Sequence, residues 1–258
     1  MIDSHVHLNA IQFQDCVDAT IQAARAVGVE AFICIGYDPI TNMRALEIAH
    51  QYPFVFATIG FHPEVAHQVT SADLEALEAM LSDQKVVGIG ECGLDYYWDK
   101  TFICEQKIVF KAQIEMANKH QLPIIVHMRD SAHDTLTMLQ TYKDKSTSGI
   151  MHCYSGSVEM VHDFLNENLY ISLAGPVSFK NAVTPKVVAA MVPSDRLLIE
   201  TDSPYLAPMP FRGKQNTPEY LPYVLQSIAQ IRVMDSIELD HITQENTCRL
   251  FKIPNAFR

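Results

Sequence analysis

Short apolar runs recur along the chain and alternate with segments that have the spacing of amphipathic helices. Most of these runs are apolar throughout and lack a polar residue at every second position. This is the pattern of strands that are buried on both faces of a parallel sheet. It predicts eight strands: Ile2–Leu8, Ala31–Gly36, Phe54–Gly60, Val86–Glu91, Pro123–His127, Gly149–Cys153, Leu169–Leu173 and Arg196–Glu200.

The segments between the strands carry residues that are typical of helix starts and ends. Phe13–Val27 has an apolar side, and Gly28 is placed to end it. Thr70 and Asp73 form a capping-box pattern ahead of a helix at Ala72–Leu81. Further helices are predicted at Phe102–His120, after Ser131 with Asp134, at Val158–Asn166 with Ser157 as its cap, after Thr184-Pro185, after Thr217-Pro218, and at Ile237–Phe251.

The regular alternation of strand and helix predicts a parallel α/β fold. Eight such units in 258 residues favour a closed (β/α)8 TIM barrel, formed by 1–258 as a single domain. A doubly wound open sheet is the alternative. That fold would usually have a glycine-rich phosphate-binding turn after the first strand, whereas this chain continues as His-Val-His-Leu-Asn.

Composition narrows the possible classes of protein. A hydrophobic fraction of 48% is ample for a large core, and the formal charge of −11 excludes a generic basic nucleic-acid binder. The six cysteines form no C-x-x-C pair, no secretory signal opens the chain, and no apolar run reaches the length of a membrane span. We therefore expect a cytoplasmic protein with reduced thiols, no membrane association and no obligate protein partner.

His5 and His7 are the first candidates for chemistry. Side chains at positions i and i+2 of a strand point to the same side, so these two imidazoles form a pair suited to holding a metal ion. Other histidines and carboxylates follow the ends of later strands, and in a barrel those ends meet at one face, where barrel enzymes keep their active sites. They are His62, Glu91, His127, His152 and Asp202.

Each of these residues also has an ordinary structural explanation. His127 or His152 alone could be a buried, hydrogen-bonded histidine, and Glu91 or Asp202 alone could cap a helix. Their joint position favours a metal site at the C-terminal face of the strands. Six ligands exceed the needs of one ion and suit two ions about 3.5–4 Å apart. The predicted metal ligands are His5, His7, Glu91, His127, His152 and Asp202.

The remaining polar and aromatic candidates carry weaker signals. Cys92 and Cys153 each follow a predicted ligand, and strand alternation would turn both away from the metals as core thiols. Tyr96-Tyr97-Trp98 lines the mouth of the site or forms a packed aromatic patch. His67 lies in a loop and is ambiguous. The histidines of helical segments are expected to be solvated: His50, His120, His133, His162 and His241.

Several blocks in colinear order resemble the TatD family of metal-dependent deoxyribonucleases, within the amidohydrolase-like barrel superfamily. The chain departs from the family's usual pattern at Gln215, where many members have arginine, and at Cys92, where an aliphatic residue is commoner. The blocks are Ile2-Asp3-Ser4-His5-Val6-His7, Gly60-Phe61-His62-Pro63, Gly90-Glu91-Cys92-Gly93-Leu94-Asp95-Tyr96-Tyr97, Pro123-Ile124-Ile125-Val126-His127, His152-Cys153-Tyr154-Ser155-Gly156, Glu200-Thr201-Asp202-Ser203-Pro204-Tyr205-Leu206, Arg212-Gly213-Lys214 with Asn216 and Pro218, and Glu245-Asn246-Thr247.

The resemblance implies a hydrolase that cleaves DNA phosphodiesters from the 3′ end, on single strands or 3′ ends, with two divalent ions (Mg²⁺, Mn²⁺ or Zn²⁺). His5, His7, Glu91 and Asp202 would hold one ion, and Glu91 would bridge to a second ion held by His127 and His152.

The resemblance and the residue chemistry also assign roles in catalysis and substrate binding. Asp202 would accept the proton of the attacking water, with Glu91 between the ions and His62 facing the substrate phosphate. The expected cationic contacts to phosphate are Arg129, Arg212 and Lys214.

Two other functions remain open from the sequence. The same site could hydrolyse an amide, a lactone or a small phosphoester, because a fold does not determine its substrate. The chain could also be a metal-binding interaction protein without turnover, although the full ligand set and an open barrel mouth argue against this.

Overall fold

The fold is described from a computed structural model, in residues 1–254. Eight parallel strands pair in chain order into one nearly closed barrel, which confirms the predicted (β/α)8 TIM barrel. The open-sheet alternative is wrong, because its strand order would reverse partway along the sheet. The strands are β1 (Ile2–Val6), β2 (Ala31–Ile35), β3 (Val55–Ile59), β4 (Val86–Asp95), β5 (Ile124–Arg129), β6 (Gly149–Met151), β7 (Leu169–Leu173) and β8 (Leu197–Ile199).

Only β7 has the predicted bounds, and the differences at β1, β4 and β6 affect the positions of predicted ligands. β1 stops before His7 and β6 stops before His152, so both histidines lie on the turns that follow the strands. β4 continues four residues past Glu91, because its pairing with β5 extends to Asp95 opposite Arg129. A side chain at Gly93 would collide with β5, since a Cβ there would lie 2.0 Å from the carbonyl oxygen of His127.

Helices cover the outside of the barrel, and the chain between them includes short 3-10 turns. The α-helices are α1 (Val17–Ala26), α2 (Pro39–Gln51), α3 (Ser71–Met80), α4 (Ile103–His120), α5 (Ala132–Tyr142), α6 (Val161–Asn166), α7 (Thr184–Met191), α8 (Leu221–Arg232) and α9 (Ser236–Phe251). The 3-10 helices are Ile11–Phe13, Pro63–Gln68, Gly175–Ser178, Ser194–Arg196 and Pro218–Tyr220. None of the helices within residues 1–254 combines the length and apolar character that a membrane crossing requires.

The predicted capping box at Thr70 is confirmed, since its hydroxyl accepts from the backbone N–H of Asp73 and the Asp73 carboxylate accepts in return. The prediction omitted α2, which opens with a second capping box formed by Asp38 and Thr41. The predicted helix at Phe13 begins only at Val17, after a 3-10 turn.

Later helix starts also differ from the prediction. The Ser131 hydroxyl does not cap α5 but donates to the carbonyl oxygen of Leu94. Ser157 does not cap α6, which begins at Val161. Thr184 is the first residue of α7, and Thr217 precedes a 3-10 turn without a side-chain cap. At Ser131 a tertiary contact replaces the local cap, and after Thr217 a short 3-10 turn does so.

Two hydrophobic clusters hold the barrel together. The larger one lies between the strands and the helices. The smaller one joins strand side chains such as Ile33, Ile125 and Leu198 with Phe251 at the end of α9. Because strand residues alternate between faces, this second cluster occupies the barrel interior.

The seam between β1 and β8 positions part of the candidate site. No ladder joins these two strands within residues 1–254, and isolated hydrogen bonds cross the gap instead. The N–H of Asp202 donates to the carbonyl oxygen of His5 (3.0 Å), and the N–H of His7 donates to that of Ser203 (2.9 Å). β1 and the turn after β8 therefore meet where three predicted ligands lie: His5, His7 and Asp202.

Candidate metal centre

The six predicted ligands converge at the carboxyl ends of the strands. Five of them line a cavity of about 690 Å³, and His5 lies buried behind them. His5, Glu91 and His127 project from strands β1, β4 and β5. His7, His152 and Asp202 lie on the turns that follow β1, β6 and β8. Parallel strands in a barrel deliver their ends to one face, which explains the convergence.

Glu91 stands at the middle of the cluster, with its two carboxylate oxygens facing different histidines. Oε1 lies 3.0 Å from Nδ1 of His127 and 2.9 Å from Nε2 of His152. Oε2 lies 3.4 Å from Nε2 of His5 and 3.7 Å from Nε2 of His7. A carboxylate that bridges two ions would need this separation of its oxygens.

His5, His7 and Asp202 form a compact group on one side of Glu91. The two Nε2 atoms are 3.3 Å apart, and Oδ1 of Asp202 lies 3.7 Å from His5 and 3.4 Å from His7. One ligand atom from each of the three residues lies within 4.8 Å of the others, so a single ion could contact all three.

His62 lies beside Glu91, although the resemblance implied only that it would face the substrate phosphate. Its Nε2 is 3.6 Å from Oε1 of Glu91, and it forms a second compact group with Glu91 and His127. Burial and the adjacent His127 lower the pKa of His62 to about 3. The neutral imidazole could serve as a ligand as well as face a substrate, but it cannot supply a positive charge to a phosphate.

Two further carboxylates, Asp95 and Glu200, hold predicted ligands from behind. Oδ2 of Asp95 lies 2.9 Å from Nε2 of His127, and Oε1 of Glu200 lies 3.3 Å from Nδ1 of His152. Glu200 also forms a third compact group with His5 and His152. Carboxylates in this position fix the orientation of ligating histidines. Both residues lie in the motif blocks, but nothing in the sequence predicts which histidine each side chain contacts.

The donor set fits divalent ions. Glu91 is only 4% exposed, and Nδ1 of His5 and Oε2 of Glu200 are buried without a hydrogen-bond partner in the described part of the chain. Burial by itself would raise the pKa of Glu91, but His152 and His127 outweigh it and hold this pKa well below its usual range. Buried carboxylates among imidazole nitrogens are the ligands that zinc and manganese accept.

The prediction that Cys153 is a core thiol turned away from the site is wrong. Cys153 is half-buried and lines the cavity, because β6 ends before it and its φ of 40° breaks the strand alternation. Burial and the Asp202 carboxylate raise the pKa of its thiol well above the usual value, so it stays protonated. Cys92 is fully buried, as predicted.

The three predicted phosphate contacts separate into two groups. Arg129 lines the cavity. Arg212 and Lys214 are exposed, pack over the rings of Phe179 and Phe211, and are absent from the cavity wall. Their predicted role is therefore not supported by their position, whereas that of Arg129 remains a prediction.

The cluster Tyr96-Tyr97-Trp98 after β4 was predicted either to line the mouth of the site or to form a packed patch, and its members differ in this respect. Trp98 lines the cavity mouth, while Tyr96 packs inward and donates from its hydroxyl to Asp134. His67 stacks on Phe102. The histidines predicted to be solvated are all exposed: His50, His120, His133, His162 and His241.

Comparison with known proteins gives the same assignment. A family model described as TatD related DNase matches residues 2–252. A Bacillus subtilis (strain 168) protein named uncharacterized metal-dependent hydrolase YabD is 45% identical over 253 residues, covering 98% of this chain and 99% of that protein. A Salmonella typhimurium protein named 3′-5′ ssDNA/RNA exonuclease TatD is 33% identical over 258 residues, covering 98% and 99%.

Among solved structures, the crystal structure of YjjV, a TatD homolog from Escherichia coli K12, superposes with a TM-score of 0.93 at 28% identity and covers 98% of both chains. The barrel, the histidine–carboxylate groups and these relatives define the protein as a metal-dependent hydrolase. The chain belongs to the TatD-related DNase family, as the resemblance of its motifs indicated.

Proposed function

We propose that the protein is a deoxyribonuclease that removes nucleotides from the 3′ end of single-stranded DNA with two divalent ions. The observation that carries this proposal is Glu91, whose two oxygens face separate histidine groups at the base of the cavity. Two-ion centres of this kind are typical of enzymes that cleave phosphodiesters. The Salmonella relative named 3′-5′ ssDNA/RNA exonuclease supports the same direction of cleavage.

We assign one ion to His5, His7, Glu91 and Asp202, and a second to Glu91, His127 and His152, with His62 as a further candidate ligand. Bound ions at such a centre lower the pKa of water and neutralise charge on phosphate. Asp202 then accepts the proton of the attacking water at a carboxylate oxygen. Burial by itself would raise the pKa of Asp202, but the contact with Nε2 of His7 outweighs it and lowers this pKa, which keeps the carboxylate ionised.

Besides the ions, Arg129 provides a positive charge that can contact the substrate phosphate. It lines the cavity and is its only lysine or arginine within the described residues. With a net charge of −11, the protein cannot attract DNA through a broad basic surface. Substrate binding therefore depends on the centre, on Arg129 and on contacts to the bases. We also propose that 1–258 forms one catalytic domain.

The test is a nuclease assay on 3′-labelled and 5′-labelled single-stranded DNA with Mg²⁺, Mn²⁺ or Zn²⁺. Glu91→Gln and Asp202→Asn should each reduce kcat by at least about 100-fold, because each removes charge from the centre. Glu115→Gln, on the exposed side of α4, is the matched control and should keep full activity. Equal activity in all four proteins would contradict the proposal.

A second candidate substrate class is a small ester, lactone or amide. The cavity wall beyond the centre is apolar at Leu173, Val177 and Leu206, which suits a compact organic substrate as well as a nucleotide. Assaying a panel of lactones and esters beside DNA separates the two. Turnover of a lactone without cleavage of DNA would favour this second class. The third possibility from the sequence was a metal-binding interaction protein without turnover. Membership in a family of hydrolases argues against it.

A further inference from the structure

Two exposed aromatic rings stand at the cavity mouth, on the turn that follows β4. Trp98 lines the cavity and is 65% exposed, and Tyr97 beside it is 53% exposed. The two rings meet edge to face, with centroids 4.9 Å apart. Large apolar side chains that stay in water next to a ligand cavity mark a binding surface.

The candidate metal centre itself fixes the position of this aromatic turn. Oδ1 of Asp95 accepts from the backbone N–H of Tyr97 (2.8 Å) and of Trp98 (3.3 Å). The other oxygen of the same carboxylate lies 2.9 Å from Nε2 of His127. One carboxylate therefore links a predicted metal ligand to the backbone of the turn that carries the two rings.

Arg129 completes the surface from the side of β5. Its guanidinium carbon lies 3.7 Å from the centroid of Tyr97 and 5.2 Å from that of Trp98. Glu64, Asp95 and Asp202 lie in the same wall, so the cavity has no row of cations that could track a phosphate backbone. Stacking offers a different means of binding, because every nucleobase has a flat face and aromatic or arginine side chains accept it.

We propose that Trp98, supported by Tyr97 and Arg129, is a stacking subsite for one unpaired nucleobase of a DNA strand whose phosphate lies at the metal centre. The inference rests on the proposed nuclease function and specifies how that site recognises its substrate. Bases inside a duplex are already stacked on both faces, so only a single strand or a frayed end can occupy the subsite.

The chain contains a single tryptophan, so the intrinsic indole fluorescence reports on the subsite alone. The wild-type protein with Mg²⁺ is titrated with a cleavage-resistant phosphorothioate octamer of thymidine, and with a copy whose two 3′-terminal nucleotides lack bases. The octamer with bases should quench the fluorescence to saturation. The copy without terminal bases should bind about tenfold more weakly, which is the size of effect that one lost base–aromatic stack produces.

Variants provide the second measurement. Trp98→Ala should raise KM for single-stranded DNA about tenfold and leave kcat nearly unchanged, while Trp98→Phe should keep most of the affinity. Tyr142→Ala is the control, because Tyr142 is also an exposed ring with a cation over it, the Lys111 Nζ at 4.9 Å. It lies at the end of α5, at the opposite end of the barrel, and its loss should change neither constant.

The outcomes separate the subsite from the nuclease function. If the wild type cleaves DNA, but Trp98→Ala has an unaltered KM and the octamer without terminal bases binds equally well, the stacking subsite is wrong and the nuclease stands. If the wild type neither cleaves DNA nor binds either octamer, both proposals fail together.

Discussion

The carboxylate of Asp95 contacts the imidazole of His127 at 2.9 Å, on the nitrogen that points away from Glu91. It thereby holds the other nitrogen, Nδ1, towards the candidate metal centre. Partners of this kind commonly contribute about 10–100-fold to metal affinity. Asp95→Asn should weaken ion binding by that factor, because a neutral amide fixes the imidazole less firmly.

Calorimetric titration of metal-free protein with Mn²⁺ or Zn²⁺ measures this effect. Asp99→Asn is the matched control, because Asp99 lies on the next turn and accepts from the N–H of Thr101 without contacting a predicted ligand. An Asp95→Asn protein that binds ions as tightly as the wild type would show that the contact plays no part in binding.

Removing the ions should destabilise the fold. The fold brings the buried carboxylates and imidazoles around Glu91 together, so an ion that binds them stabilises the folded state and is lost from the unfolded chain. Adding an ion at 100 times its dissociation constant should stabilise the protein by about 2.7 kcal/mol. Thermal unfolding with EDTA and after adding back Mg²⁺, Mn²⁺ or Zn²⁺ measures this, and Glu91→Gln should lose most of the shift. No change of Tm with EDTA in the wild type would count against a resident ion.

Ion binding should weaken as the pH falls. Burial alone would lower the pKa of His152, but the carboxylates of Glu91 and Glu200 outweigh it and raise this pKa well above its usual value. A proton therefore occupies the imidazole at neutral pH in the metal-free protein, and an incoming ion must displace it. Because protonation increases at lower pH, affinity should drop by about tenfold per pH unit for each displaced proton. Titrations in buffers with different ionisation enthalpies would reveal the released proton, and a pH-independent affinity would contradict the expectation.

Arg129 and Arg212 should differ in their effect on activity, although the sequence motifs suggest both as phosphate contacts. Arg129→Gln should reduce kcat/KM for DNA by at least about tenfold, since it removes a charge-assisted contact inside the cavity. Arg212→Gln should have little effect, because its guanidinium packs on Phe179 outside the cavity wall. If Arg212→Gln lost more activity than Arg129→Gln, the substrate would have to bind along a surface outside the cavity.

Phe251 should matter for stability without touching the centre. Its ring is buried in the interior cluster at the end of α9, so Phe251→Ala should cost about 3–5 kcal/mol of unfolding free energy. Ile237→Ala, on the exposed side of the same helix, should stay within about 0.5 kcal/mol of the wild type. Urea unfolding compares the two variants, and equal stabilities would contradict the role of the interior cluster.

The barrel is predictable from sequence because its strands are buried on both sides and leave apolar runs that recur in step with the helices. The convergence of His5, Glu91 and His127 follows from the barrel, since strand ends share one face. Residues just beyond a strand are harder to predict. Cys153 faces the cavity because the chain turns at φ 40° after β6, and no local pattern marks that turn.

The roles of Asp95 and Glu200 are hidden from the sequence for a related reason. Each contacts a histidine of a different β/α unit, and the sequence distance between the partners carries no information about the contact. The prediction also omitted α2, although Asp38 followed by Pro39 carries the same helix-start signal as Thr184-Pro185.

The seam between β1 and β8 has a consequence for the order in which the enzyme matures during synthesis. Asp3 and Thr201 bond across it although they lie 198 positions apart in the chain. His5 and His7 are synthesised well before Asp202, which follows only after the eight described strands have been made. The candidate centre is therefore incomplete in any unfinished chain that ends before Asp202, and its full ligand set exists only once all eight described strands have been made.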